Sequence, residues 1–241
     1  MKTLVVVPTY NERDNLLALA KRIFAVEIQD LSLLIVDDNS PDGTAAYATE
    51  LAGRYPLRVI RRSQKDGVGK AYSAAFHSIL SEPEPPDYII QMDADLSHDP
   101  ALIPALLRAM DECDIAIGSR YVASGRIENW GMIRRSISKI GNAYARVLLG
   151  LPYRDLTSGY RCFRAGALAR LIEKPLSSSR YCFMIETIAK AHALGYQIRE
   201  IPIVFTERAI GKSKFNLGII VESVWRVLAL ALRAREADEI S

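Results

Sequence analysis

The sequence is poor in cysteine and histidine, the residue types that build disulfide frameworks and imidazole-rich metal sites. Its 241 residues include three of each. The cysteines, Cys113, Cys162 and Cys182, have no C-x-x-C spacing and cannot all pair, so we expect reduced thiols that act as small core residues. This favours a reducing, cytoplasmic compartment, and the scattered histidines argue against a histidine-rich metal site.

Long apolar runs and a strong net charge are also missing. No stretch approaches the ~20 apolar residues that a membrane-spanning helix needs. Met1-Lys2-Thr3 leads directly into a short apolar strand, without a signal peptide. The net charge of +3 gives no argument for nucleic acid as a partner. We therefore expect a protein that is not integral to a membrane and binds no nucleic acid.

Two common phosphate-binding motifs are absent as well. No G-x-G-x-x-G follows the first apolar run, and residues 67–70 are too short a match for a Walker loop. What is present is a repeated alternation of short β-branched runs with helical patterns. This alternation predicts an α/β domain with a mostly parallel, Rossmann-like sheet and helices on both faces; the predicted strands are residues 4–7, 31–36, 57–60, 88–92 and 115–118.

The ends of these strands carry the candidate chemistry, since ligands of open α/β sheets bind beyond the carboxyl ends of the strands. The run 88–92 ends in Asp93 and Asp95, which alternation along an extended chain places on the same side. Two such carboxylates suit a hard divalent cation that also holds a diphosphate. The remaining strand ends carry aromatic, acidic and basic groups: Tyr10 and Glu12, Asp37 and Asp38, and Gly118-Ser119-Arg120.

These acids allow two other interpretations. The helix dipole attracts acids to helix N-termini, which accounts for Asp14 and Asp42 but poorly for a succession of acidic strand ends. A phospho-accepting receiver domain would also cluster acids at Asp37-Asp38. Such a domain would leave the second half of the chain unexplained.

Six motifs occur in order along the chain. They are Pro8-Thr9-Tyr10-Asn11-Glu12, residues 37–44, Asp93-Ala94-Asp95-Leu96-Ser97-His98, Gly118-Ser119-Arg120-Tyr121, residues 155–161, and Glu207-Arg208 with Gly211-Lys212-Ser213-Lys214. Together they resemble the motifs of the family 2 glycosyltransferases, in the dolichol-phosphate or polyprenol-phosphate mannosyltransferase branch. The resemblance runs from residue 4 to about residue 218. It implies a GT-A fold, a GDP-mannose donor, Mg²⁺ or Mn²⁺, and a polyprenyl or dolichyl phosphate as acceptor.

The same resemblance implies the site residues by position. It implies a metal site of Asp93, Asp95 and Ser97, where Ser97 replaces the Gln that is usual in relatives and is a weaker ligand. It assigns catalytic roles to Asp95, Arg120 and Arg208, and an acceptor-phosphate site to Arg120, Arg134 and Ser138. The implied donor-binding residues are Pro8, Tyr10, Glu12, Val36, Asp38, Asp93, Ala94, Asp95, Arg120, Arg208 and Lys214.

The chemistry implied by the resemblance needs cations more than a base. A lipid monophosphate is largely a dianion near neutral pH, with a second pKa of about 6, so it can attack without losing a proton. Attack at the anomeric carbon would invert configuration and give a β-linked mannosyl phosphate. The basic loop Glu207–Asn216 is expected to close over the diphosphate. A UDP-glucose donor, another sugar nucleotide, or a non-catalytic nucleotide-sugar-binding subunit remain alternatives.

The last predicted element is an amphipathic helix from about Leu217 to Arg235. Its apolar residues form a face wider than core packing needs, and Trp225 is of a type that favours membrane interfaces. We predict a catalytic domain over 1–216 and a helix and tail over 217–241 that attaches the protein peripherally to the cytosolic face of a membrane. Packing of the helix on the domain or on a second copy is the alternative. A homo-oligomer or a membrane-anchored partner subunit stays open.

Overall fold

The main feature of the fold is a seven-stranded sheet with strand order β3-β2-β1-β4-β7-β5-β8. The computed structural model describes residues 1–178, 182–207 and 217–238, without the side chains of 217–221 and 233–238. A second, two-stranded sheet pairs β6 with β9 in parallel. The strands are β1 (Thr3–Thr9), β2 (Leu31–Asp37), β3 (Leu57–Arg61), β4 (Tyr88–Gln91), β5 (Ile115–Ser119), β6 (Arg126–Glu128), β7 (Arg161–Arg164), β8 (Ile198–Pro202) and β9 (Val204–Thr206).

Helices connect the parallel strands and cover both faces of the sheet. A short 3₁₀ turn over Pro100–Leu102 precedes α4, with Asp99 accepting a hydrogen bond from the Ala101 N–H at its start. The helices are α1 (Arg13–Phe24), α2 (Thr44–Leu51), α3 (Val68–Leu80), α4 (Ile103–Ala109), α5 (Met132–Leu149), α6 (Ala165–Ile172), α7 (Cys182–Ala193) and α8 (Leu217–Asp238).

The predicted mostly parallel α/β architecture is confirmed, with one antiparallel strand. β7 lies between β4 and β5 and is antiparallel to both. The pairs of β1 with β2, β2 with β3, β1 with β4, and β5 with β8 are parallel. The carboxyl ends of β2, β1, β4 and β5 therefore meet along one edge of the sheet, as the prediction of the site requires.

The sheet separates two apolar layers, one on each face. One layer packs α3, α6 and α7 through Tyr72, Phe76 and Phe183, and the other packs α1 and α4 through Leu19, Ile23 and Leu106. The central strands contribute side chains to both layers, because successive residues of a strand point to opposite faces of the sheet. The three cysteines are reduced and buried, as predicted.

Three local expectations from the sequence are wrong, each for an identifiable reason. Asn11 has the residue type of an N-cap for α1, but its backbone is left-handed at φ 58° and Glu12 takes the N-cap position. Composition predicts a loop over 122–130, which contains β6, and a single strand over 198–205, which divides into β8 and β9. The chain leaves the main sheet after Pro202, whose nitrogen has no hydrogen to donate, and β9 then pairs with β6.

The C-terminal helix α8 packs partly against α5 and α7. Val227 and Ala231 are buried, with Val227 in the same apolar layer as α7, and the Tyr144 hydroxyl of α5 donates to the Val224 carbonyl. Val224, Trp225 and Leu232 are exposed. The single apolar face that we predicted is thus divided, and Ala231 belongs to its packed side. The division of the chain into domains stays a prediction.

Among the helices of the described residues, none combines the length and the apolarity that crossing a bilayer requires.

Candidate active site

The residues predicted to bind the donor lie at the ends of three adjacent strands, and we name this the donor edge. Tyr10 and Glu12 follow β1, Asp37 and Asp38 end β2, and the Asp93–Asp95 segment follows β4. These strands are parallel, so the predicted nucleoside and metal residues lie together at one end of the sheet. Val36 is 0% exposed within the core, which leaves it no accessible surface for a nucleoside in this structure, and Pro8, beside it on β1, is half-buried.

The β2 end is held rigidly by hydrogen bonds. The Asp37 carboxylate accepts from the Thr9 hydroxyl at 3.0 Å and from the Ser40 hydroxyl at 2.6 Å. The Asp38 carboxylate pairs with the guanidinium of Arg62, which follows β3. Burial of Asp38 raises its pKa above the usual range, although Arg62 acts in the opposite direction. Arg62 therefore compensates a carboxylate that burial would otherwise destabilise.

Tyr10 and Glu12, which follow β1, place an aromatic ring and a carboxylate at the same edge of the sheet. The ammonium of Lys65 lies 3.5 Å from the centre of the Tyr10 ring, a cation–π contact. The Glu12 carboxylate accepts from the Asn15 amide at 2.7 Å, and its backbone N–H donates to the Thr44 hydroxyl at 3.1 Å. The loop after β3 thus reaches both the Tyr10 ring and Asp38, two of the positions expected to recognise a nucleoside.

The two carboxylates expected to hold a metal lie in a bend beyond the strand. β4 ends at Gln91, so the alternation argument for Asp93 and Asp95 does not apply as stated. Asp95 is 8% exposed and accepts from both the hydroxyl and the N–H of Ser97, at 2.5 and 3.2 Å. The Asp93 side chain is 41% exposed. In the short contact, the Ser97 hydroxyl donates its proton to the Asp95 carboxylate. The lone pairs of the Ser97 oxygen are therefore left for a cation.

The donor set fits a hard cation that completes its shell from a substrate. Across the described residues, no three His, Cys, Asp or Glu side chains form a ready-made metal cluster. Mg²⁺ sites in nucleotide enzymes commonly use one or two carboxylates and take further oxygens from phosphates and water. Asp93, Asp95 and Ser97 supply oxygens of that kind.

His98 contacts the segment that carries the predicted metal ligands Asp93 and Asp95. Its Nδ1 accepts a hydrogen bond from the Asp93 N–H at 3.1 Å, and its ring stacks on Tyr160 with centroids 5.0 Å apart. Nδ1 also lies 3.9 Å from the Asp93 carboxylate, but burial lowers the His98 pKa below its usual 6.5. A neutral ring makes this a positioning contact for the Asp93 backbone and not an ion pair.

Arg120 is clamped by the Asp155 carboxylate. Nε and Nη2 of Arg120 donate to the two Asp155 oxygens at 2.7 Å each, and Nη2 also donates to the Thr157 hydroxyl at 2.8 Å. Burial opposes both charges, but mutual attraction prevails, raising the Arg120 pKa and lowering the Asp155 pKa. Nη1 makes no hydrogen bond within the described part of the chain and is the nitrogen available to a phosphate.

The predicted acceptor residues lie beside this clamp on α5. The Tyr121 hydroxyl donates to the Ser138 hydroxyl at 2.7 Å, and the Tyr121 ring lies 5.4 Å from the Arg120 guanidinium. One turn earlier, Arg134 stacks 4.0 Å over the Trp130 ring and pairs with Glu207 at 2.5 Å. Arg120, Arg134 and Ser138 are thus connected through Tyr121 and Trp130.

Two predicted site residues, Arg208 and Lys214, lie outside the described residues. The same holds for nearly all of the predicted lid Glu207–Asn216, including its expected hinge Gly211. Only Glu207 is placed, in its ion pair with Arg134.

Sequence reasoning missed the residues that position the site. Arg62, Trp130 and Phe205 carried no signal of a role, because their contacts join elements far apart in sequence. Phe205 approaches Trp130 and His98 edge-on, with centroids 5.4 Å away in each case. Asp155 and His98 stood within motifs already identified, and their roles followed only from the geometry.

The fold and site define the class of protein first. The chain shares its fold with glucosyl-3-phosphoglycerate synthase of Mycobacterium tuberculosis, solved with Mn²⁺, UDP and glucosyl-3-phosphoglycerate. The TM-score is 0.69 at 19% identity, covering 95% of this chain and 79% of the other. This is the GT-A fold of glycosyltransferases.

The sequence comparisons then place the chain in a family. Residues 4–172 match Glycosyl transferase family 2, and the protein belongs to that family. It is 42% identical over 237 residues to the polyprenol monophosphomannose synthase of Mycolicibacterium smegmatis, covering 97% of this chain and 88% of the relative. It is 41% identical over 237 residues to the undecaprenyl-phosphate mannosyltransferase of Micrococcus luteus, covering 98% and 96%.

Proposed function

We propose that the protein transfers mannose from GDP-mannose to a polyprenyl phosphate of the dolichyl or undecaprenyl kind. Its near-full-length similarity to two enzymes named for this chemistry carries the assignment. The geometry is consistent with it, because the acidic donor edge adjoins a cationic and hydroxyl cluster on Arg120 and α5. A phosphate acceptor needs such a cluster, whereas a sugar hydroxyl would need a general base.

On the donor side, the nucleoside stacks on Tyr10 and is bound by Glu12 and Asp38. Lys65 occupies a face of the Tyr10 ring, so it moves aside or contacts the donor phosphates when a base stacks there. Asp93 and Asp95, with Ser97, would hold Mg²⁺ or Mn²⁺, which when bound supplies positive charge to the diphosphate leaving group. Ser97 and His98 fix the carboxylate segment for that role.

On the acceptor side, Arg120, Arg134 and Ser138 orient the lipid phosphate. One phosphate oxygen attacks the anomeric carbon, the new carbon–oxygen bond forms, and the bond from that carbon to the GDP oxygen breaks. GDP leaves with the electron pair, so no proton transfer is needed. The Asp155 clamp holds Arg120 in a fixed rotamer, so Nη1 is pre-organised for phosphate before either substrate arrives.

The exposed apolar surface supports attachment to a membrane. Four large apolar side chains of α5, named here the apolar stripe, are 68–85% exposed: Met132, Ile133, Ile140 and Val147. Val224, Trp225 and Leu232 of the adjacent α8 extend this surface. The sequence predicts membrane contact through α8, and the apolar stripe adds α5 to it. Both helices bring the acceptor site against the cytosolic face of a membrane.

A transfer assay tests the proposal directly. Purified protein is incubated with radiolabelled GDP-mannose or UDP-glucose, a polyprenyl phosphate in detergent, and Mg²⁺ or Mn²⁺. We expect label in the lipid phase from GDP-mannose, and we expect EDTA to abolish it. Transfer from UDP-glucose alone would overturn the donor assignment, and binding of nucleotide sugars without transfer would indicate a non-catalytic subunit.

A further inference from the structure

A cavity of about 470 Å³ opens beside α5, and its lining is strongly cationic. Six of its eleven lining residues are Arg or Lys, and none is Asp or Glu. The cationic residues are Arg120, Arg126, Arg135, Lys139, Arg146 and Arg154. We name this the basic cavity. A concentration of one charge sign in a concave surface raises the local concentration of oppositely charged ligands.

Within residues 1–178, 182–207 and 217–238, four of these six cations have no acidic partner. Arg120 is neutralised by Asp155, and Arg126 is paired with Glu128. In contrast, the side chains of Lys139, Arg146 and Arg154 make no hydrogen bond or ion pair in the described part of the chain. Nε of Arg146 is buried and has no acceptor among the residues that the structure describes. A buried donor without a partner costs free energy, which an anionic ligand would recover.

The position of the basic cavity indicates the source of the anion. Arg135, Lys139 and Arg146 lie about 100° around α5 from the centre of the apolar stripe, at about 100° per residue. If the apolar stripe enters the acyl region, these cations stand at the height of the lipid phosphates. Arg120 and Tyr121 line the end of the basic cavity next to the predicted acceptor site, whereas Arg134 and Ser138 lie on the opposite flank of the basic row, toward the protein core. The part of the cavity formed by Lys139, Arg146 and Arg154 contains none of the predicted acceptor residues.

We propose that the basic cavity binds the phosphate of an anionic membrane phospholipid that is not the acceptor. The site goes beyond the transfer reaction, but its choice of a lipid rests on the membrane location proposed above. Lys139, Arg146 and Arg154 contact the headgroup phosphate, and occupation of the cavity fixes how α5 sits on the bilayer.

Vesicle flotation of the full-length protein tests this with a matched pair of double variants. Lys139→Gln with Arg146→Gln neutralises the cavity, and Lys21→Gln with Arg108→Gln removes the same charge from exposed positions on α1 and α4. Three kinds of vesicle are used. The first contains phosphatidylcholine alone, the second adds phosphatidylglycerol, and the third adds oleate in the amount that gives the same total charge. We expect the cavity variant to bind the phosphatidylglycerol vesicles about 25-fold more weakly, since each of the two basic residues near an anionic surface contributes about fivefold. The control should bind them as the wild type does.

Several results would overturn the inference. These are equal losses in both double variants, equal binding to oleate and phosphatidylglycerol vesicles, and a higher KM of the cavity variant for polyprenyl phosphate in detergent. If inorganic phosphate binds the wild type to saturation but phosphatidylglycerol does not strengthen binding to vesicles, the cavity is a site for free phosphate instead. Mannose transfer in detergent tests the proposed function separately, because it requires no phosphatidylglycerol. An inactive protein that still selects phosphatidylglycerol would refute that function and support the cavity.

Discussion

On the donor edge, Asp37, Asp38 and Asp95 are at most 8% exposed, and each accepts a hydrogen bond or ion pair from a neighbouring side chain. On α5, Lys139 and Arg146 have no partner among the described residues, and Met132, Ile133 and Val147 are at least 80% exposed. The donor edge is organised by the protein itself. The α5 surface is organised for contacts outside the protein. Substitutions should therefore act on chemistry in the first region, and on location and acceptor binding in the second.

The largest effect is expected at the donor edge, for Asp95→Ala. Removing one of two carboxylates should lower metal affinity in the presence of GDP by orders of magnitude and abolish transfer. The thermal midpoint should change little, because the substitution also relieves repulsion from Asp93. Mn²⁺ titration calorimetry with GDP, radiolabel transfer and a thermal melt measure the three quantities. Turnover like that of the wild type at saturating Mn²⁺ would refute the metal assignment.

The next largest effect is expected for Asp155→Asn, which changes the carboxylate that clamps Arg120 between the two regions. Asp155 is 0% exposed, and the substitution leaves the buried Arg120 charge uncompensated. Breaking a buried pair in this way costs about 3–5 kcal/mol of unfolding free energy. Glu112→Gln is the matched control, because the Glu112–Arg199 pair is exposed and should contribute at most about 1 kcal/mol. Equal destabilisation of the two variants in urea would contradict the clamp.

The same pair predicts a pH dependence of stability. Despite burial, Arg120 holds the Asp155 pKa below its ordinary value of 3.8. A carboxyl with a depressed pKa in the folded state stabilises the protein fully above the unfolded value, and this stabilisation is lost as pH falls through the folded value. The unfolding free energy of the wild type should therefore fall below about pH 4 more steeply than that of Asp155→Asn. Parallel profiles in urea at descending pH would contradict this.

A smaller effect is expected on the acceptor side, for Arg134→Ala. Losing a charge-assisted contact should cost about 1.5–3 kcal/mol, seen as a higher KM for lipid phosphate with donor binding near that of the wild type. Arg134→Lys keeps the charge but not the planar stack on Trp130, and should recover part of the loss. Steady-state kinetics and GDP-mannose titration separate the two substrates. A selective fall in GDP-mannose affinity would place Arg134 in the donor site.

The smallest effect is expected on the apolar surface, for Trp225→Gln and Ile140→Gln. Each should weaken binding to neutral vesicles by about 1 kcal/mol without changing transfer in detergent. Leu194→Gln is the control, since Leu194 is 45% exposed but lies on neither α5 nor α8. Truncation before α8 is a poorer test, because it would uncover the buried Val227 and Ala231. Undiminished flotation of both variants would remove the two helices from the membrane contact.

The sequence predicted the elements whose signal is local. The buried strands and the polar strand ends follow from periodicity and composition within a few residues. The direction of β7 did not, because the four-residue segment Arg161–Arg164 carries no signal of strand direction. Arg62 and Phe205 act through contacts across the sheet edge that no window of sequence contains. The exposed apolar stripe of α5 was obscured by the basic residues interleaved with it.

The place of β7 also dictates an order of assembly. The four strands β3, β2, β1 and β4 can pair once residue 91 has left the ribosome. In the described sheet, β5 pairs only with β7 and β8, and both of these strands come later in the chain. Until residue 164 is available, the nascent chain carries β4 as an open edge and β5 as an unpaired apolar segment. Such edges pair readily with other chains. We therefore expect chains that end between β5 and β7 to aggregate or require a chaperone, while the complete chain closes both edges in one late step.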